Sequence, residues 1–287
     1  MTRRSLLCLC AIILASAPIS LSPLAARAQD WAKTSLDKSP RHREYVPIKA
    51  GGGRVVNTFM VYPETSAKAP IVVMIHEIFG LSDWAKSMAD ELAGQGYIVL
   101  VPDLLSDTGP AANGAASNGK AGGGTDSYTG TDAITKAVSG LPAEQVLSDL
   151  DAVASYGLKL PSANGKLAVA GFCWGGGKSF AFATHRNDLN AAFVFYGPPP
   201  ETGTLASISA PVYGFYAGND ARIDATIPAT TEAMKAAGKS YDPEMYAGAG
   251  HGFMRAGEAP DASAENRMAR EEAFKRMTSL LKPLQTN

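Results

Sequence analysis

The chain has 287 residues, 26 Lys+Arg against 27 Asp+Glu for a formal net charge of −1, and 46% hydrophobic residues. That length buries a sizeable core without crosslinks, and a near-neutral balance with no basic run gives no footing for a phosphate backbone, so nucleic acid is not an expected partner. Four histidines, none at ligand spacing, offer no metal site, and no cofactor is expected.

The N-terminus reads as an address. Arg3 and Arg4 precede an apolar run from Leu6 to Ala17, and Ala26-Arg27-Ala28 places small residues ahead of Gln29. Residues 1–28 are therefore expected to be a removable export signal, and the paired arginines fit the bacterial twin-arginine route into the periplasm. Ser16, Pro18 and Pro23 interrupt the apolar run, which falls short of the roughly 20 residues of a membrane span. The mature chain, 29–287, is expected to be a single domain, monomeric and without stable membrane association. Losing Arg3, Arg4 and Arg27 leaves 23 basic against 27 acidic residues, a net charge of −4. It also leaves Cys173 as the one mature cysteine, since Cys8 and Cys10 lie in the signal. One thiol makes no internal disulfide, and in an oxidising compartment it is either an inert core residue or a reactive one.

Along the mature chain, Val55 to Tyr62 has strand character, and Ile71 to Ile75 is a continuous apolar run suited to a strand buried on both faces. Trp84, Met88, Ala89 and Leu92 recur at helical spacing, closed by Gly94 and Gly96, before a strand at Tyr97 to Val101. Ser106 to Gly140 is an insert rich in Gly, Ala, Ser, Thr and Asn. Its composition indicates a loose, solvated segment, with a lid as the alternative. Alternation resumes with a helix from Pro142 through Val146, Leu150 and Val153, a strand at Leu167 to Phe172 and a helix at Gly175 to Thr184. Strands follow at Ala191 to Tyr196 and Pro211 to Ala217, then a helix at Ala225 to Ala237, a strand at Ser240 to Tyr246 and a closing helix at Glu265 to Leu281. Such alternation implies an α/β fold with a mostly parallel sheet covered by helices on both faces, and ligands at the carboxyl ends of its strands.

Gly171-Phe172-Cys173-Trp174-Gly175 lies between a predicted strand and a predicted helix and fits the nucleophile elbow of the α/β-hydrolase fold, with cysteine where serine is commoner. The helix N-terminus beyond it is expected to favour thiolate over thiol. In this fold the acid and the histidine follow the nucleophile in that order. Asp220 follows the strand ending at Ala217, with Asp224 as a competitor. His251 follows the next strand, whereas His42, His76 and His185 fall in unsuitable places. The loop after Ile75 carries His76-Glu77-Ile78-Phe79-Gly80, and the amides of Ile78 and Trp174 are the candidates for an oxyanion hole. Glu77 itself reads either as a functional carboxylate or as a solvated or capping group.

Several stretches resemble the dienelactone hydrolases, also called carboxymethylenebutenolidases: Glu77-Ile78-Phe79-Gly80, Val101-Pro102-Asp103-Leu104, Gly171-Phe172-Cys173-Trp174-Gly175-Gly176, Gly218-Asn219-Asp220 and Gly250-His251-Gly252-Phe253. The resemblance runs from about Val55 to the final helix. It implies a hydrolase of small, acidic carboxylic esters or lactones. It also implies a Cys173, Asp220, His251 triad, an active-site Glu77 that takes the thiol proton, and an Arg255 that pairs with a substrate carboxylate or, in the empty site, with Glu77. The alternatives are a broad esterase or thioesterase, or a non-catalytic small-molecule-binding relative. The chain departs from the family in its export signal and in having no second arginine between the Pro-Asp-Leu motif and the elbow, where Lys120, Tyr128 and Lys136 stand instead.

Overall fold

The computed structural model describes residues 29–110 and 122–286. The expected export signal, the middle of the insert and Lys120 lie outside the described residues. Among the described residues, eight strands form one sheet in the order β1-β2-β4-β3-β5-β6-β7-β8: β1 (Arg43–Lys49), β2 (Val55–Val61), β3 (Ala69–Ile75), β4 (Ile98–Pro102), β5 (Ala163–Phe172), β6 (Ala191–Phe195), β7 (Val212–Ala217) and β8 (Tyr241–Tyr246). β2 is antiparallel to both β1 and β4, and every other neighbouring pair is parallel. This is the α/β-hydrolase architecture, a mostly parallel sheet with helices on both faces.

The alternation of side chains along β3 divides the core. Val72 and Met74 face the layer that holds Trp84, Met88, Ala273 and Met277, from the helices Asp83–Ala93 and Ala264–Leu281. Ile71, Val73 and Ile75 face Val146, Leu150, Val153 and Phe180, from the helices Ala143–Leu158 and Trp174–His185. Burial on both faces removes any need for polar positions, and Ile71 to Ile75 are fully buried.

β3 is central, and its two sheet neighbours, β4 and β5, come later in the chain. Strand order therefore reverses beside β3, and the loops after β3 and β5 meet at the carboxyl edge, where sheets of this kind open a crevice.

Two elements escape the apolar patterns. Helix Asp30–Lys38 buries only Ala32 and Leu36, and edge strand β1 exposes Glu44, Tyr45, Pro47 and Lys49 and fully buries only Ile48. In its described parts the insert also differs from the expected loose segment. Its described ends are clamped: Ser106 bridges Gly123, and Asp107 accepts hydrogen bonds from Gly122 N and Val55 N, each at 3.0 Å. The Asp103 carboxylate accepts from Thr125 N and Thr125 Oγ1, each at 2.8 Å. Beyond this clamp, Thr131–Ser139 is a helix. A buried carboxylate that needs donors fixes the chain here, whatever the glycine content suggests.

Candidate active site

Cys173 occupies the elbow between β5 and the helix Trp174–His185, at φ 57° and ψ −116°. That conformation is costly for a residue with a Cβ, and its surroundings enforce it. A Cβ on Gly171 would lie 1.9 Å from the carbonyl oxygen of Gly175, and one on Gly175 would lie 2.4 Å from the carbonyl oxygens of Ile75 and His76. Glycine at both positions lets the strand, the helix and the β3 loop close on one another. Cys173 N donates to Phe195 O at 3.0 Å, which ties the elbow to β6.

His251 Nε2 lies 3.1 Å from Cys173 Sγ, and His251 Nδ1 lies 2.5 Å from Asp220 Oδ2. The carboxylate beside Nδ1 assigns the ring proton to that nitrogen and leaves Nε2 as an acceptor toward sulfur. Two loops that are distant in sequence hold this arrangement as a unit: Asn219 N donates to Ala249 O at 2.9 Å and Asn219 Nδ2 to Gly248 O at 2.8 Å. Gly250 N is fixed from behind by Asn266 Oδ1 at 2.9 Å. Asp224, the competing acid, sits one turn beyond Asp220 with its buried Oδ1 unpartnered among the described residues. Burial, with Asp220 nearby, pushes its carboxyl up from the usual range.

Glu77 is buried, at 2% exposure. Arg255 Nε donates to its Oε2 at 2.7 Å and Tyr196 OH to its Oε1 at 3.2 Å. The Arg255 guanidinium lies over the Phe79 ring, 4.9 Å from its centroid. Sequence patterns miss Tyr196. It sits just past β6 at φ 40°, fully buried, and packs edge-on against His251 with 5.1 Å between ring centroids. It thus touches both the histidine and the glutamate. A non-glycine residue that is buried and left-handed at a strand's carboxyl end is its signal, and that signal exists only in three dimensions.

The expected preference for thiolate is overturned. The amides of Trp174 and Ile78 do hydrogen-bond the sulfur and, with the charge of Arg222, pull its pKa down. Burial, joined by the negative charge of Glu77, outweighs them and raises the thiol to about 11. A helix end carries only partial charge, felt over its first turn, whereas burial of the sulfur acts together with the full charge of Glu77. Arg222, also missed in the sequence, stands two residues after Asp220 and is exposed. His76, beneath the site, is fully buried, its Nδ1 2.7 Å from Glu77 O. Its ring stacks on Trp174, and burial lowers its pKa, so it stays neutral.

The structure thus brings Cys173, His251, Asp220, Glu77, Arg255 and the amides of Ile78 and Trp174 to one edge of the sheet. A cavity of about 390 Å³ opens beside Arg255 and includes Tyr128 in its lining. Lys136 lies on a different cavity.

The model of the dienelactone hydrolase family matches residues 56–285. A Methylorubrum extorquens protein provisionally named a carboxymethylenebutenolidase is 31% identical over 221 residues, 72% of this chain and 70% of that one. A Saccharolobus solfataricus protein with the same provisional name is 30% identical over 256 residues, 80% of this chain and 95% of that one. Among solved structures, one from Klebsiella pneumoniae, provisionally named a dienelactone hydrolase, has a TM-score of 0.70 at 26% identity and covers 84% of this chain and 98% of its own. The Anabaena variabilis dienelactone hydrolase shares the fold, with a TM-score of 0.61 at 18% identity over 86% of this chain and 99% of its own. The chain belongs to the dienelactone hydrolase family and is a hydrolase of that type.

Proposed function

We propose that the protein hydrolyses small carboxylic esters or lactones that bear a carboxylate, through an acyl-enzyme on Cys173, after export to the periplasm. One observation carries this reading: His251 lies between Cys173 Sγ and Asp220, within hydrogen-bond reach of both. Nucleophile, base and orienting acid stand in the order that acyl transfer requires.

At rest the thiol is protonated and Arg255 is paired with Glu77. A substrate carboxylate arriving at Arg255 competes for the guanidinium, and the released Glu77 accepts the thiol proton. Sulfur then attacks the carbonyl carbon, and the amides of Ile78 and Trp174 receive the oxyanion. The carbon–oxygen bond breaks, and the proton the thiol gave up ends on the departing oxygen. In the second half, His251 Nε2 takes a proton from water as hydroxide attacks the thioester. The carbon–sulfur bond breaks, and the imidazolium returns its proton to sulfur. The acid and alcohol leave, with Glu77 ionised again. A thiol that ionises only with substrate in place is protected from oxidation outside the cytosol.

The test is intact-protein mass spectrometry after brief exposure to aryl esters and lactones. An acyl adduct mapped to Cys173 and absent from Cys173→Ala is expected, and Cys173→Ala and His251→Ala should each lower kcat by about a thousandfold or more. Unchanged turnover in either variant would sink the reading. Equal turnover of acidic and neutral esters would replace it with a broad esterase. Export predicts a periplasmic form that begins at Gln29.

A further inference from the structure

The cavity beside Arg255 does more than expose the guanidinium. It is lined on one side by Phe79, Leu81 and Lys86, from the segment after β3, and on the other by Thr125, Tyr128 and Ile134, from the return limb of the insert. Thr125 fastens the two walls together, since its Oγ1 donates to Asp103 and accepts from Leu81 N at 3.0 Å. At about 390 Å³ the cavity falls in the roughly 300–1,000 Å³ range of sites for drug-sized ligands, more than a compact five-membered lactone acid fills.

Its lining joins three kinds of group. Arg255, which lies over Phe79, connects the cavity to the catalytic residues through Glu77. Leu81, Ile134 and Tyr128 supply apolar surface. Lys86 is held by Asp83 at 3.3 Å, and Asp126 adds a second carboxylate to the lining. Two acids around one lysine leave Lys86 unreceptive to an anion.

Resting on the reading of Arg255 above, we propose that this cavity is a subsite for the apolar or aromatic arm of a monocarboxylated ester or lactone. The carboxylate is held by Arg255, and the arm lies between Phe79 and Leu81 on one side and Tyr128 and Ile134 on the other. The substrate class is therefore an aryl- or alkyl-substituted acid with a single charge, larger than an unsubstituted lactone acid. A second carboxylate on the arm would meet Asp83 and Asp126.

Titration calorimetry with propanoate, phenylpropanoate and glutarate tests this without turnover. Phenylpropanoate is expected to bind at least about tenfold more tightly than propanoate, from burial of its ring, and glutarate no more tightly than propanoate. Ile134→Trp, which fills the cavity, and Ile134→Glu, which places a charge in its wall, should each remove the phenyl gain and keep propanoate affinity. Equal affinity for phenylpropanoate and propanoate, or a gain that survives in both variants, overturns the subsite alone. If neither acid binds while phenyl acetate is still hydrolysed through Cys173, the role of Arg255 and the subsite fall together and the nucleophile stands.

Discussion

At Cys173 two opposing influences meet in one side chain: hydrogen bonds from two amides favour the anion, and burial beside Glu77 opposes it with the larger effect. Replacing the glutamate therefore separates resting reactivity from turnover. Glu77→Gln removes the charge that raises the thiol and leaves the Arg255 cation unpaired nearby, so alkylation of Cys173 by iodoacetamide at pH 8 should speed up several-fold. Ester turnover should fall by roughly 100-fold or more, because the proton acceptor is gone. A variant slow in both measurements would contradict the assignment. Arg222 invites a different measurement. Arg255 is already paired when substrate approaches, so the exposed Arg222 is the cation beside the sulfur that meets an incoming carboxylate first. Arg222→Gln should lower kcat/KM for acidic esters several-fold in low salt, with the difference from wild type shrinking as ionic strength rises.

At the scale of elements, the helix Thr131–Ser139 is a lightly anchored wall of the cavity. It buries one residue, Val138, whereas the neighbouring helix Ala143–Leu158 buries six. Its Ile134 side faces the cavity beside Arg255, and its Ala133 and Ala137 side faces another of about 540 Å³. Amide hydrogen exchange should be faster across 131–139 than across 143–158, and it should slow when phenylpropanoate binds. Equal protection in the two helices would show that the wall is rigid. The elements also explain what the sequence disclosed. The elbow, Asp220 and His251 are legible because each sits in a short glycine-marked motif at a strand end, with chain order supplying the rest. Tyr196, Arg222 and Thr125 are not, because Tyr196 and Thr125 act by touching loops far away in sequence and Arg222 by its charge on a distant residue's sulfur. The ionisation of Cys173 is illegible for a related reason: a helix N-terminus is visible in a motif, and burial of the sulfur beside Glu77 is not.

For the whole molecule, stability and pH are linked through a cluster outside the triad. Arg270 pairs with both Glu91 and Glu258. Burial first, and Glu91 second, raise the Glu258 carboxyl from 4.5 to about 7 against the pull of Arg270. A raised acid is protonated in the folded chain where the unfolded chain has already lost its proton. Its contribution to stability is therefore present in full below about pH 4.5 and lost as pH rises through 7, on the order of 3 kcal/mol. Glu258→Gln cannot titrate, so thermal melts should show the wild type losing ground to the variant between pH 5 and pH 8. A pH-independent difference would place the carboxyl in its ordinary range.

The position of β8 has a consequence for how the enzyme fails. Among the described residues this strand pairs only with β7, and half of it is exposed, yet the loop that follows it carries His251. Fraying at that margin would take away the base while the sheet interior around β3 stays folded. In rising urea, activity should accordingly disappear at a lower concentration than tertiary fluorescence, and it should return quickly on dilution, because a single outer strand is all that must dock again.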